Sequence, residues 1–449
     1  MKGTVNLINR NVSHMTNHRT RWVYTHQGLF ALLLVSILLG SALGTSIDSC
    51  STSNTEKKKR EVLIVGAGAA GLSAAKKLNS LKSKSSSDVD FHVQILEASH
   101  VFGGRVRKTE SLVDYPVDLG ASWVYDPSVL QDMLVDSDRD DLPPTVYLDD
   151  EYEGQLGFSL FQNYSWYDVF HDHLAPNESD IIYGCEVDKI QYGSEHEQVQ
   201  VACGERKFQA DHVIVTVPLS VLKDDDIEFD PELPDDYVEN HPGDMWAGIK
   251  VFFEFSKKFY PAIFTLEKDA VLNNVNGVFE VEDGESEFWD YSKINPHSKH
   301  HLMAGYFIGD PGIQYLSRTD QEIAMDVLRR LDERFGNNIA SEHYVKHLIM
   351  NWSQEPFIRG SYASGSPSGY LETDGAQSIV NGRVFLAGEA FPCKGYGVGW
   401  VHTAALSGQD AAQQIIKLVG QGIQEEETDS ETNCDFEVEH IVFHRSRWR

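Results

Sequence analysis

Glu61-Val62-Leu63-Ile64-Val65 is a short, apolar, β-branched run of the kind that forms a strand buried on both faces. Gly66-Ala67-Gly68-Ala69-Ala70-Gly71 follows at once, and Leu72–Leu78 then reads as helix. Few architectures accept this order. In a Rossmann-like α/β fold the first glycine allows the tight turn, the second lets the backbone approach a pyrophosphate, and the third lets helix and strand pack closely. The helix N-terminus then faces the phosphate charge. A second predicted strand, Phe91–Leu96, ends at Glu97, where a carboxylate can accept hydrogen bonds from ribose hydroxyls.

Charge narrows the partners. Against 38 Lys and Arg stand 68 Asp and Glu, a formal net charge of −30, which excludes nucleic acid as a plausible partner because phosphate binding needs a basic surface. Such a field concentrates cationic substrates near an acidic cleft. The acid also falls in local runs, Asp136–Asp141, Asp149–Glu153, Asp224–Asp226 and Glu425–Glu431, which serve solubility equally well. Five cysteines show neither CxxC nor metal-site spacing, and HExxH and GxSxG are absent from the sequence.

Further along stand Gly103-Gly104-Arg105, VDLGASW at 117–123, ADHVIVTVPLSVLK at 210–223 and VFLAGEA at 384–390. With VLIVGAGAAGLSAA and LEASHVFGGRVR, these words resemble the flavin-containing amine oxidases, a group that includes monoamine, polyamine and spermine oxidases and lysine-specific histone demethylases. The resemblance runs from Glu61 to Val419. It implies a Rossmann-like FAD-binding domain assembled from residues 61–125, 180–235 and 376–420, with an α+β substrate domain from 126–179 and 236–375. It assigns FAD contacts to Gly66, Gly68, Ala69, Ala70 and Gly71, to Glu97 and Ala98, and to Gly104 and Arg105. Gly120, Ala121, Ser122 and Trp123 would cross beside the flavin. Val187, Thr216, Pro218, Gly388, Glu389, Val398 and Val401 complete the set, and the Trp400–Ile415 helix would point its N-terminal end at the flavin.

By the same resemblance, Asn351–Tyr362 places an aromatic wall before the flavin. Tyr362 and Trp400 are then the two walls, with Trp352 in the same motif. Aromatic walls exclude water and favour the neutral amine, whose α C–H leaves as hydride to flavin N5. Lys250 stands in an apolar run, Ala247–Phe253, where burial is costly without a partner. It is either a solvent-facing edge lysine or, as the resemblance implies, the group holding a water near N5. The candidate catalytic set is therefore Lys250, Tyr362, Trp400 and Trp352. Ser361 occupies the position at which monoamine oxidases carry the cysteine bonded to flavin, so FAD is expected to be non-covalent.

Several positions depart from the family pattern. Ser99 and Val101 stand where arginines are usual, Tyr125 where His or Glu is, and Thr403 where Gly is. The stretch from Tyr125 to Val187 is roughly half its usual length, so substrate-domain helices should be missing or shortened. Polyamine oxidation with O2 as acceptor is the leading expectation, from the acidic balance and the Arg359–Tyr362 wording. Oxidation of amino acids, with Arg359 as the carboxylate receptor, and a catalytically impaired flavin-binding protein remain alternatives. A histone demethylase is disfavoured, since neither a chromatin-binding module nor an inserted coiled coil is present in the sequence.

Gly28–Gly44 is uncharged, Leu-rich and 17 residues long, which predicts a secretory signal peptide or a membrane anchor. The sequons at Asn163 and Asn177 are compatible with that route. The tail 421–449, acidic and then basic, is expected to be disordered. Glu186–Gln191 and Gln198–Ala202 read as a hairpin turning near Ser194. That register sets Cys185 opposite Cys203 at bridging distance.

Overall fold

The computed structural model describes residues 58–81, 89–124, 129–134, 142–148, 158–175, 177–238, 243–266, 284–364, 379–393 and 397–420. Residues 28–44, Tyr125, the tail, and the acidic runs at 136–141, 149–153 and 425–431 lie outside them. Among the described residues no helix is long and apolar enough to cross a membrane.

The apolar run at 61–65 becomes the second half of a strand, Lys58–Val65, whose basic start is exposed and whose last four residues are buried. It lies inside a six-stranded sheet in the order Ile379–Val380, Val384–Leu386, His212–Val215, Lys58–Val65, Val89–Leu96, Ile181–Ile182. All pairings are parallel except the antiparallel edge at Ile379–Val380. The helix Ala69–Ser80 follows the glycine loop, and Gly68 at its N-cap has no side chain to occupy the first amides. Gly66 has φ of 104°, a region costly for other residues, and a Cβ on Gly71 would stand 2.0 Å from the Gly66 carbonyl oxygen.

The C-terminal helix, Val401–Gly420, packs across this glycine-loop helix, and both bury alanines in one core. At the crossing a Cβ on Gly408 would stand 2.0 Å from the Ala70 carbonyl oxygen.

A second, antiparallel sheet has the order Ile263–Phe264, Gly284–Asp290, His301–Gly309, Gly248–Phe255, Tyr344–Asn351. Period-two alternation divides Gly248–Phe255 between two cores. Ile249, Val251, Phe253 and Phe255 pack toward the helix Asp320–Phe335, through Ile323, Val327 and Leu331. Phe252 faces the other core, with Trp289, Tyr291 and Tyr306, and Lys250 shares its side. The strand is internal to the sheet and Lys250 is 5% exposed, so the edge-lysine alternative is wrong.

The described residues between 126 and 179 contribute to both cores. Val129, Leu130, Met133, Trp166 and Phe170 pack with the two helices, whereas Leu148, Phe158 and Leu160 pack under the second sheet. The hairpin after Cys185 pairs Lys189 with Ala202, a register that does not set Cys185 opposite Cys203. Cys185 lies before the strand, donating its N–H to the Glu97 carbonyl (2.9 Å), and reaches Cys203 from there. The two are bonded, with Cα atoms 5.4 Å apart.

Because the Gly408–Ala70 crossing has no room for a methyl group, Gly408→Ala should lower unfolding stability by about 1–3 kcal/mol, the usual cost of overpacking. Urea unfolding measures this, and an unchanged midpoint would contradict the packing described.

Candidate functional site

A cavity of about 420 Å³ opens along the glycine loop and extends to the Lys250 face of the second sheet. It is lined by every sequence-derived site residue except Gly71. Gly71 lies against the Gly66 carbonyl instead, so its contribution is packing of the loop.

The dinucleotide end is shaped for FAD. A Cβ added at Gly68 or Gly388 would meet nothing within 4 Å, so backbone faces open space on both walls. Uncapped amides at the start of Ala69–Ser80 are oriented for a pyrophosphate. Glu97 is 8% exposed; its carboxylate accepts the Ala67 N–H (2.7 Å), the Ser99 N–H (2.9 Å) and the Ser99 hydroxyl (2.7 Å). Ser99, which replaces an expected arginine, thus holds the Glu97 carboxylate, and Val101 is half exposed.

Glu389 lines the cavity and also ties its walls together. Its carboxylate accepts from Arg105 (2.8 Å) and from the amides of Ala363 (3.1 and 3.2 Å) and Gly399 (2.9 Å). Those bonds tie the loop before the C-terminal helix to the segment carrying Tyr362, while the Gly388 backbone keeps the open face.

At the other end Lys250 Nζ donates to the Asp118 carbonyl (2.8 Å), the Gly120 carbonyl (2.7 Å) and the Ser122 hydroxyl. It also lies 5.3 Å from the Phe252 ring centroid and 5.4 Å from that of Trp289. Burial pushes its pKa down to about 7, against the attraction of Asp118. Burial likewise raises the Asp118 carboxyl to about 8, with Lys250 opposing.

Tyr362 and Trp400 meet this cavity from opposite chain segments. Tyr362 packs on Gly399, where a Cβ would stand 3.0 Å from the tyrosine ring, and Trp400 follows directly. The φ of 86° at Gly399 turns the chain into the helix that begins at Val401. Trp352 donates to the Leu119 carbonyl (2.9 Å) and lies under the Arg107 guanidinium, 5.3 Å from the ring centroid. It braces the 119–123 strip as well as lining the cavity.

Sequence reading missed Asp118, Tyr291, Trp289, Tyr306 and Trp246. Trp289 and Tyr306 line the cavity beside Trp123, with ring centroids 5.5 and 5.3 Å from it. Trp246 lies 6.1 Å from Tyr362. Asp118 was within a quoted motif, but its role depends on a strand more than a hundred residues away. Arg359 does not line the cavity. Its guanidinium pairs with Asp224 (3.0 Å) and Asp226 (2.5 Å), which removes it as a carboxylate receptor.

Comparison with known proteins agrees with this geometry. A family model described as flavin containing amine oxidoreductase matches residues 144–416, and an NAD(P)-binding Rossmann-like domain matches 64–136. Lysine-specific histone demethylase 1 homolog 1 of Arabidopsis thaliana is 32% identical over 267 residues, covering 56% of this chain but only 29% of that protein. Polyamine oxidase 5 of Oryza sativa subsp. japonica is 25% identical over 459 residues, covering 78% and 87%. Among solved structures, cyclohexylamine oxidase from Brevibacterium oxydans IH-35A superposes with a TM-score of 0.59 at 16% identity, covering 80% of this chain and 99% of that one. Wild-type putrescine oxidase bound to putrescine gives 0.58 at 16% identity, covering 80% and 100%. With a glycine loop, an acid and open backbone walls suited to FAD, and a family match over most of its length, the chain belongs to the flavin-containing amine oxidoreductases.

Proposed function

We propose that this protein oxidises a polyamine with O2 as the electron acceptor. The observation that carries the reading is the convergence of Lys250, Tyr362 and Trp400 on the same cavity as the glycine loop. The excess of acidic residues and the similarity to a rice polyamine oxidase support a polycationic substrate.

When bound, FAD would supply the acceptor for the amine's α-hydride, with O2 taking the two electrons and two protons as H2O2. The protein's own groups do the rest. Gly68, Gly388 and the first helix amides would hold the pyrophosphate, and Glu97 the ribose. Tyr362 and Trp400 exclude water, so that an amine entering between them sheds its proton and presents a neutral nitrogen. Lys250, whose ammonium burial pushes toward deprotonation, handles the proton. The amine loses two electrons and two hydrogens to become an imine, which water then hydrolyses.

The relatives favour one further reading, since several are histone demethylases and the site is large. A methylated-lysine substrate is the alternative. H2O2 release from FAD-loaded protein should be fastest with spermine or spermidine, and slower with monoamines, L-amino acids and a dimethyl-lysine peptide. Fastest turnover of the peptide would replace the polyamine reading. Lys250→Met should retain FAD yet slow flavin reduction by about 10²–10⁴-fold, the usual contribution of a general acid–base group.

Ser361 has no sulfur to offer, and its hydroxyl donates to the Trp246 carbonyl (3.1 Å). Acid precipitation should therefore leave a colourless pellet and yellow supernatant; a yellow pellet would mean a covalent flavin. Delivery to the secretory pathway is part of the same reading. The Cys185–Cys203 bridge and the exposed sequon residue Asn163 support it. Protein from a secretory host should shift in mobility on enzymatic deglycosylation, and the absence of any shift would count against that route.

A further inference from the structure

The Asp118 carboxyl is 2% exposed and accepts the Trp166 N–H (3.0 Å) at the start of the helix Trp166–Val169. Its second oxygen lies 3.4 Å from the Tyr291 hydroxyl, which also accepts the Asp118 N–H (2.8 Å). The Asp118 carbonyl receives Lys250, and the same strip, two and four residues on, supplies the other two acceptors for that ammonium. One acid therefore anchors the strip from behind while the strip holds Lys250 in front.

We propose that Asp118 is the positioning residue for Lys250, fixing the oxygens that hold its Nζ and, when ionised, favouring its ammonium. This rests on the oxidase reading, in which Lys250 handles a proton beside the flavin. The two groups are linked through Ser122 and Tyr291. Ser122 accepts from the lysine when it is charged and can donate to it when it is neutral. Tyr291 joins the Ser122 and Asp118 ends.

The other charges around the pair are few. Asp168, from the Trp166–Val169 helix, faces Asp118 and is itself paired with Lys108 (2.7 Å). Tyr306, opposite Lys250 on the neighbouring strand, lies 3.4 Å from the Glu287 carboxylate. The remaining close faces, Phe252 and Trp289, are aromatic. In such surroundings burial drives both partners toward their neutral forms, and each restrains the other's shift.

Asp118→Asn keeps the shape and removes the charge, so it separates positioning from counter-charge. The rate of anaerobic flavin reduction by spermine, followed against pH, should show an inflection from Lys250 that is missing in Lys250→Met. In Asp118→Asn that inflection should move to lower pH by about one unit or more, because the carboxylate no longer favours the ammonium. FAD content should stay unchanged, and Asp118→Glu should move the inflection back. An Asp118→Asn profile superposable on the wild type, with only thermal stability lost, would overturn the proposal.

A second comparison needs no turnover. Asp118 holds its proton in the folded state to a higher pH than in the unfolded one, so its contribution to stability is lost as pH rises through about 8. In Lys250→Met the opposing cation is gone, and the loss should extend to still higher pH than in the wild type. Lys250→Met introduced beside Asp118→Asn should cause no such extension, and a Lys250→Met effect on the pH dependence of melting that is the same with and without Asp118→Asn would equally overturn the proposal. If no amine reduces the flavin but the two effects differ, the oxidase reading fails while the Asp118–Lys250 coupling stands.

Discussion

A lysine ammonium enclosed within an internal strand must find oxygens or lose its proton, and here both happen in part. Lys250 reaches across from the second sheet to three oxygens of the 118–122 strip, which runs along the glycine-loop layer's side of the cavity. Those bonds hold the strip against the second sheet along one wall of the cavity. Much else follows from that span. Trp352 is tied to Leu119, Gly120 passes so close to Arg105 that a Cβ would stand 1.8 Å from its carbonyl oxygen, and Trp123 is set among Phe158, Trp289 and Tyr306. A less buried lysine would bind its oxygens more weakly and keep its proton, which would undo both effects together.

The opposite end of the cavity obeys a different constraint, the close approach of backbones. Gly66, Gly71 and Gly408 sit where any Cβ would strike a carbonyl or the Thr216 hydroxyl, and Gly68 and Gly388 where it would fill the cavity. The first group presses strand and helices together. The second keeps amides accessible to a diphosphate. Glu389 couples the two ends, because its carboxylate receives Arg105 from the glycine-loop side and the amides of Ala363 and Gly399 from the aromatic side. One acid thus holds the segments before Tyr362 and Trp400 to the glycine-loop side of the cavity.

What could be read from the sequence was what depends on local pattern. The run at 61–65, the glycines and the small-residue helix after Trp400 declare themselves through hydrophobicity and steric need. Lys58–Arg60 extend the first strand invisibly, since an exposed basic strand end carries no apolar signal. The register at Cys185 was misjudged because the polar turn between the strands contains no Asn-Gly or Asp-Gly pair to fix it. The described residues between 126 and 179 form short elements without sustained periodicity, so nothing in their order announced that Trp166 would join one core and Phe158 another. Asp118, Tyr291 and Tyr306 escaped notice for a related reason. Their meaning comes from pairing across strands distant in the chain, and no local spacing encodes it.

If one cavity both holds FAD and presents an amine to it between Tyr362 and Trp400, beside Lys250, the flavin reports it directly in the visible spectrum of the FAD-loaded protein mixed with amine in the absence of oxygen. Its absorbance should bleach with spermine or spermidine and return when O2 is admitted. A fully loaded protein whose flavin stays oxidised with every amine offered would contradict that arrangement.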